Sequence, residues 1–215
     1  MIVLLDLDGT ISDPYVGIRN AWRFVSERLG LAVLDEEQQR AAIGPPLEDT
    51  LLSLGLDDHA VQQGVHAYRS YYDTTGLFEN TVYPGMPEVL EELGGTATLA
   101  LATSKPADTA ARILDRFGLV HHFAVVGGAT RDGSVRRKAD VVARTLAELG
   151  SPDPADVTMV GDRLHDVHGA GQHGVRCLGV RWGYGAPGEL EAAGAYAVAE
   201  APADIPRLLP SPGSA

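Results

Sequence analysis

Side chains that could do chemistry follow three of the apolar segments in this chain. They are Asp6 and Asp8 after the first apolar segment, Thr103, Ser104 and Lys105 after the second, and Asp162 and Asp166 after the fourth. A further lysine, Lys138, begins the amphipathic segment that precedes the fourth. Two carboxylates one residue apart at the end of a buried strand are costly unless a positive charge compensates them. The spacing therefore indicates a functional site in which carboxylates and lysines act on a charged ligand or cation.

Five short apolar runs predict strands that are buried on both faces, because apolar residues in them do not alternate with polar ones. The predicted strands are Ile2–Leu7, Ala97–Ala102, Ala124–Gly127, Val157–Val160 and Arg176–Val180. Helical spacing lies between them, in Pro87–Leu93, Pro106–Phe117, Lys138–Leu149 and Leu164–His173. Strands that alternate with helices are typical of a parallel sheet covered by helices on both sides. We therefore expect an α/β protein with a Rossmann-like parallel sheet.

The predicted topology brings the polar side chains to one edge of the sheet. In open parallel sheets, ligands bind in the crevice at the carboxyl ends of the strands. Four carboxylates crowded at that edge cannot all stay ionised without a cation. Oxygen ligands with no cysteine or histidine among them are typical of Mg²⁺, whose shell water and substrate phosphate would complete. The residues themselves therefore predict a Mg²⁺ site.

The segment between the first strand and the rest of the sheet has a different pattern. From Pro14 to Val82 we find only amphipathic stretches, broken by glycine and proline. The predicted helices there are Gly17–Leu29, Asp35–Ile43, Leu47–Leu54 and Asp58–Thr74. We expect a catalytic core over residues 1–13 and 84–215 and an inserted helical cap over residues 14–83. The predicted hinges are Ser12–Pro14 and Tyr83–Gly85.

Charge and composition restrict the partners and the compartment. The formal net charge of −12 argues against nucleic acid or an anionic membrane as the main partner, since both bind basic surfaces. The single cysteine, Cys177, excludes an intramolecular disulfide and favours a reducing compartment. No apolar stretch approaches the roughly 20 residues of a membrane-spanning helix, and the first residues lack the basic region of a signal peptide. We expect a cytoplasmic protein with a frayed tail at Pro210–Ala215.

The motifs resemble those of the haloacid dehalogenase superfamily of phosphohydrolases. That family is marked by D-x-D-G-T, a serine or threonine after the second strand, a lysine, and G-D-x-x-x-D. This chain has D-L-D-G-T at 6–10, T-S at 103–104, Lys138 and G-D-R-L-H-D at 161–166, and the match covers residues 1–13 and 84–208. The loop Gly179–Gly185 is similar to the phosphoglycolate phosphatase and 5′-nucleotidase-like branch. The resemblance implies an α/β core with a helical cap and Mg²⁺-dependent phosphate chemistry.

The resemblance also implies a role for each carboxylate. Asp6 would attack phosphorus to form an aspartyl-phosphate, and Asp8 would serve as the general acid and base. Asp162 would bind Mg²⁺ together with Asp6 and the carbonyl group of Asp8. Asp166 would hold a metal-bound water or orient Lys138. These carboxylates are the expected metal site.

Phosphate binding is assigned to a second group of residues. By the resemblance, Thr103 and Ser104 would hydrogen-bond the phosphoryl oxygens, and Lys138 would neutralise charge on the nucleophile and the phosphoryl group. Gly9 and Lys105 are predicted to belong to the same phosphate site. Two alternatives stay open: one of the hydroxyls caps the following helix, or the arginine before Lys138 takes the place of the lysine.

Substrate selection is assigned to the cap and to one loop of the core. In similar caps, a rigid loop such as the one that contains Pro45 lies over the active site and selects the substrate. Arg19 would line the same entrance, although a solvated helix start accounts for it equally well. Trp182 and Tyr184 follow the last predicted strand, and they either shape the rim of the pocket or pack in the core.

Together these features predict a Mg²⁺-dependent phosphatase that acts on a small phosphomonoester, phosphoglycolate- or nucleotide-like. A sugar phosphomutase would use the same residues, and a phospho-acceptor regulatory module also gathers acidic residues and a lysine around an aspartate. A 2-haloacid dehalogenase needs the nucleophile without Mg²⁺, so the other carboxylates argue against it. The expected partner is a small phosphate ester, without nucleic acid or membrane, and the chain would be a monomer or a homodimer.

Overall fold

The computed structural model describes residues 1–210, so the predicted fraying of the tail falls almost entirely outside the described residues. The strands are β1 (Ile2–Leu5), β2 (Ser12–Asp13), β3 (Thr81–Val82), β4 (Thr98–Pro106), β5 (Phe123–Ala129), β6 (Val157–Gly161), β7 (Arg176–Val180) and β8 (Ala197–Ala199). Six of them form one parallel sheet in the order β5-β4-β1-β6-β7-β8. The predicted α/β fold with a parallel sheet is confirmed.

Helices connect the strands of this sheet. They are α1 (Tyr15–Leu29), α2 (Glu36–Ala41), α3 (Leu47–Ser53), α4 (Asp58–Tyr72), α5 (Met86–Gly94), α6 (Ala107–Arg116), α7 (Lys138–Glu148), α8 (Leu164–Gly171), α9 (Glu189–Ala193) and α10 (Ile205–Leu208). Single 3₁₀ turns lie at Gly76–Phe78, Val120–His122, Pro154–Asp156 and Pro202–Asp204. Within residues 1–210, none of the helices combines the length and the apolar character that a membrane crossing requires.

Strand β1 occupies the middle of the sheet, between β4 and β6. Val3, Leu4 and Leu5 are fully buried, because helices cover both faces of a parallel sheet. The Asp6 N–H still donates to the carbonyl group of Val160 at 3.0 Å, so the ladder holds the backbone of Asp6 in place. The predicted strand continued to Leu7, but the regular strand ends at Leu5 because the chain then enters a tight turn.

The prediction missed β8, the sixth strand of the sheet. β8 is three residues long, has the sequence Ala-Val-Ala, and pairs with β7 at the edge of the sheet. Such a short segment carries too little β-branched or aromatic character to be recognised locally. The short helices α9 and α10 on either side of β8 were also missed, because five and four residues are too few to show helical periodicity.

The backbone contacts divide the chain into two units. One contains Met1–Asp13 and the chain from Val82 onward, and the other is Pro14–Thr81. In the second unit, α1 packs along α4, and edge-to-face contact joins Trp22 to Tyr68 with ring centroids 5.5 Å apart. Its role as a cap stays a prediction. The prediction of no strand up to Val82 was wrong, because the returning chain pairs as β3 with β2 in a two-stranded ribbon.

Candidate active site

Lys138 and Asp6 lie at the centre of the acidic site. Asp6 follows the last residue of β1 and Lys138 is the first residue of α7, so regular elements fix both backbones. Lys138 Nζ lies 2.9 Å from Asp6 Oδ2, 2.7 Å from Asp166 Oδ1 and 3.0 Å from the carbonyl oxygen of Ala102. Its side chain is 4% exposed. Burial opposes the charge, but the two carboxylates outweigh it and raise the pKa of Lys138, so the ammonium stays protonated.

Three carboxylates meet at this edge of the sheet. Asp6, Asp162 and Asp166 each offer one oxygen, and these oxygens lie within 4.8 Å of one another. Burial, followed by the charges of the neighbouring carboxylates, raises the pKa of Asp162 well above its usual value. Burial also raises the pKa of Asp166 to about 6, against the opposing effect of Lys138. One lysine cannot neutralise three carboxylates, and an all-oxygen donor set of this kind fits Mg²⁺.

Asp8 pairs with a different lysine. Lys105 Nζ lies 2.8 Å from Asp8 Oδ2, and both side chains are largely buried. The second oxygen of Asp8 is buried and has no hydrogen-bond partner within residues 1–210. Burial raises the pKa of Asp8, and Lys105 opposes that shift. A carboxyl group with a raised pKa and an unused oxygen has the properties of a general acid.

A tight turn after the first two carboxylates places backbone against Asp162. The carbonyl group of Leu7 accepts hydrogen bonds from the N–H groups of residues 10–12, at 3.3, 2.9 and 3.0 Å. Gly9 has φ +84°, and a Cβ atom there would lie 2.1 Å from Asp162 Oδ2. Only glycine fits both the backbone angle and this close approach. Gly9 therefore makes room for an acidic side chain, and its place in the phosphate site stays a prediction.

A loop after β7 forms another wall around Asp162. The Tyr184 N–H donates to Asp162 Oδ2 at 2.8 Å, and a Cβ atom at Gly183 would lie 2.3 Å from Asp162 Cβ. The indole N–H of Trp182 donates to the carbonyl oxygen of Thr10 at 3.1 Å. The Tyr184 hydroxyl donates to Asp13. Trp182 therefore holds the turn after β1 in place, and the backbone of Tyr184 holds the carboxylate of Asp162.

Glu189, the first residue of α9, fastens this loop to the end of β6. Its Oε1 accepts hydrogen bonds from Arg163 Nε and the Leu164 N–H, both at 2.9 Å. Its Oε2 accepts the Ala186 N–H at 3.1 Å. Glu189 was not predicted from the sequence, because it does not follow a strand directly. Gly183 and Gly185 belong to the loop Gly179–Gly185 to which the motifs pointed, and each backbone approaches Asp162 too closely for a Cβ atom.

Thr103 and Ser104 lie near the carboxyl end of β4, next to β1 in the sheet. Thr103 is buried, and its Oγ1 accepts the N–H of Lys105 at 3.3 Å, whereas Ser104 is half-buried. Helix α6 begins without a side-chain cap, so neither hydroxyl has the capping role that was left open. Arg137 is exposed, and it is Lys138 that contacts Asp6.

The two residues predicted to select the substrate belong to the helical unit. Arg19 lies on α1, with its guanidinium group 5.8 Å from the ring centroid of Tyr15, and Pro45 lies between α2 and α3. The Nε atom of Arg19 is buried without a hydrogen-bond partner in the described part of the chain. The assignment of Arg19 and Pro45 to substrate stays a prediction.

Known proteins share both the sequence and the fold. A 5′-nucleotidase from Pseudomonas aeruginosa is 38% identical over 192 residues, which are 88% of this chain and 86% of that protein. The tyrosine-protein kinase PtkA of Mycobacterium tuberculosis is 41% identical over 185 residues, or 86% of this chain. The chain spans only 63% of the length of PtkA.

A solved structure and a family model point to the same class of protein as these relatives. The crystal structure of a predicted phosphatase from Clostridium acetobutylicum superposes with a TM-score of 0.92 at 31% identity, covering 96% of each chain. The family model described as haloacid dehalogenase-like hydrolase matches residues 3–180, which contain every motif of the acidic site. This confirms the resemblance read from the sequence, and the chain belongs to the haloacid dehalogenase-like hydrolase family.

Proposed function

We propose that this protein is a Mg²⁺-dependent phosphatase that hydrolyses a small phosphomonoester through an aspartyl-phosphate on Asp6. The observation that carries the proposal is the different environment of the two carboxylates in D-L-D-G-T. Asp6 is paired with the buried ammonium of Lys138, which holds one of its carboxylate oxygens in place at the end of β1. Asp8 has a raised pKa and an unused oxygen, which suit proton transfer. One residue is thus suited to attack and the other to protonate.

The proposed reaction has two steps with one nucleophile each. A carboxylate oxygen of Asp6 attacks phosphorus, the ester P–O bond breaks, and the leaving oxygen takes the proton from Asp8. Asp8, now ionised, removes a proton from a water molecule whose oxygen attacks phosphorus. The Asp6–phosphorus bond then breaks, which releases phosphate and restores both carboxyl groups. Splitting the hydrolysis in this way replaces one difficult displacement by two easier ones.

The remaining residues neutralise and position the phosphoryl group. Lys138 lies within 3.0 Å of Asp6, so its charge acts on the nucleophile and on the phosphoryl group attached to it. Asp6, Asp162 and Asp166 would hold the Mg²⁺, and the bound ion would neutralise further negative charge on the transferring group. Thr103 and Ser104 would donate their hydroxyl groups to phosphoryl oxygens.

For the substrate we propose a phosphoglycolate- or nucleotide-like monoester. The 5′-nucleotidase relative supports a nucleoside monophosphate, since the alignment covers most of both proteins. Selection would fall to the helical unit Pro14–Thr81, through Arg19 and the loop that contains Pro45. A reducing compartment such as the cytoplasm suits the one cysteine, Cys177, which is buried and unpaired.

A second candidate function is phosphoryl transfer to a protein tyrosine. Its support is the 41% identity to a relative named tyrosine-protein kinase. In that reaction a tyrosine hydroxyl, rather than water, would accept the phosphoryl group. Incubation with a nucleoside triphosphate and a tyrosine peptide distinguishes the two, because only the kinase reaction yields phosphotyrosine.

Hydrolysis of p-nitrophenyl phosphate by the purified chain tests the leading proposal. We expect activity with Mg²⁺, loss of activity with EDTA, and a drop of at least about 10³-fold in Asp6→Asn. Asp115→Asn, an exposed position on α6, is the matched control and should retain activity. Full turnover without divalent metal would refute the Mg²⁺ dependence, and activity in Asp6→Asn would refute the nucleophile. Phosphoglycolate, nucleoside monophosphates and sugar phosphates then rank the substrates.

A further inference from the structure

Two histidines and a glutamate converge at the edge of the sheet opposite the acidic site. His121 and His122 end the 3₁₀ turn Val120–His122, directly before β5. Glu91 lies on α5, which contacts that turn. Because all strands of the sheet are parallel, the start of β5 is at the amino edge, whereas Asp6 is at the carboxyl edge. The cluster is therefore separate from the catalytic carboxylates.

The three side chains offer ligand atoms at close range. One ring nitrogen from each histidine and one oxygen of Glu91 lie within 4.8 Å of one another. His122 Nδ1 is 3.9 Å from Glu91 Oε2, and the two imidazole rings have centroids 4.0 Å apart. The side chain of His122 is 9% exposed and that of Glu91 is 81% exposed. Packing thus holds His122 in place, while the exposed side chain of Glu91 is free to change its rotamer toward a shared ion.

We propose that Glu91, His121 and His122 form a second metal site, selective for a divalent transition ion such as Zn²⁺. Imidazole nitrogens favour Zn²⁺ and its neighbours in the first transition row, whereas Mg²⁺ prefers oxygen ligands. Two histidines with one glutamate are a known three-ligand set for zinc, with bonds of about 2.0–2.2 Å. Glu91 and His121 are both exposed, so their side chains have room to rotate toward an ion held by His122.

Three protein ligands leave a fourth position open. A tetrahedral zinc ion would fill it with water or with a side chain from another molecule. The site joins α5 to the start of β5, two segments that are more than 25 residues apart in the chain. A bound ion would cross-link them and stabilise the folded state, because the unfolded chain does not hold the three ligands together.

Zinc titration of the full chain in excess Mg²⁺ tests this proposal, since Mg²⁺ would compete with Zn²⁺ for the oxygen ligands of the acidic site and not for imidazole nitrogens. We expect the His121→Ala/His122→Ala double variant to bind one equivalent of Zn²⁺ fewer than the unchanged protein. His59→Ala/His66→Ala, at two positions on α4, is the matched control and should bind the same amount as the unchanged protein. Equal stoichiometry and affinity in the double variant would overturn the proposal.

Glu91→Gln provides an independent variant that leaves both histidines in place. We expect it to weaken Zn²⁺ binding by about tenfold or more. Glu92→Gln, an exposed neighbour on the same helix, should leave the affinity unchanged. Hydrolysis measured with Mg²⁺ should be the same in all these variants, so failure of the zinc site and failure of the phosphatase proposal are distinguishable. If Glu91→Gln and Glu92→Gln bind Zn²⁺ equally, Glu91 is not a ligand and the site is wrong.

Discussion

Among the individual residues of this protein, Lys138 is central because its one ammonium group forms ion pairs with two carboxylates. Lys138 contacts both Asp6 and Asp166, and burial excludes water from all three side chains. An ion pair of this kind contributes little net stability, but removing one partner leaves a buried charge without compensation. The lysine is therefore expected to matter both to folding and to chemistry.

We predict that Lys138→Met abolishes most of the activity and destabilises the protein. Leaving Asp6 and Asp166 without their counter-charge should cost about 3–5 kcal/mol of unfolding free energy. Denaturant unfolding and p-nitrophenyl phosphate kinetics measure the two effects. Arg137→Met, one residue earlier and exposed, is the control. A Lys138→Met protein with unchanged stability and turnover would contradict the geometry.

We predict that Gly9→Ala disrupts the acidic site more than the strain of a positive φ at residue 9 would do by itself. At Gly9, with φ +84°, a Cβ atom would lie 2.1 Å from Asp162 Oδ2, so the carboxylate must move. Gly133 has a similar φ of +76° with nothing within 4 Å of its Cβ position. Gly133→Ala should therefore cost only the backbone strain, about 1 kcal/mol. Mg²⁺ titration of activity distinguishes them, and equal effects of the two substitutions would argue against the steric account.

Among the elements of the fold, the acidic site depends on the loop that follows β7. The segment between β7 and α9 supplies the Tyr184 N–H to Asp162 and the Trp182 indole to the turn after β1. Glu189 fastens that segment to the connection between β6 and α8. Side chains that orient metal ligands influence metal affinity without contacting the metal.

We predict that Glu189→Ala weakens Mg²⁺ binding about 10–100-fold while leaving kcat at saturating Mg²⁺ largely unchanged. The reason is that Asp162 loses the support of its loop but keeps its own carboxylate. Glu191→Ala, two residues away on α9 and paired only at the surface with Arg181, is the control. Activity measured as a function of Mg²⁺ concentration gives both the apparent dissociation constant for Mg²⁺ and kcat at saturating Mg²⁺. A loss of kcat with unchanged Mg²⁺ affinity would assign Glu189 a different role.

At the scale of the whole molecule, charge links stability to pH and to metal. Burial raises the pKa of Asp166 to about 6, above its usual value of 3.8. Between these values the folded protein binds more protons than the unfolded chain. The contribution of this group to the stability of the metal-free protein therefore decreases as pH rises through that window.

We predict that Mg²⁺ raises the melting temperature strongly above pH 7 and progressively less as the pH falls through about 6. Protons would compete with the proposed Mg²⁺ for the same carboxylates, and the raised pKa values of Asp162 and Asp166 favour the proton in acid. Thermal melts with Mg²⁺ and with EDTA at matched pH measure the difference. A shift that is the same at pH 5 and pH 8 would contradict this linkage.

Much of the site could be predicted because its residues follow strand ends. Asp6, Thr103 and Asp162 each lie near the carboxyl end of a central strand, and parallel pairing brings those ends to one edge. The contact between Lys105 and Asp8 was not predicted, because it depends on how the turn after β1 meets the last residues of β4.

The strand–helix alternation, the parallel sheet and the carboxylates at its edge can all be predicted from the amino-acid sequence alone. Local apolar patterns reveal the strands and helices, and the common direction of the strands places the carboxylates at one edge. Three features become visible only in the folded chain: Lys105 faces Asp8, Gly9 and Gly183 make room for Asp162, and Glu189 supports the loop after β7. These are contacts between residues up to 172 positions apart in the chain, between Gly9 and Asp162 or between Thr10 and Trp182. Their geometry arises when packing brings distant loops together, and no local pattern encodes it.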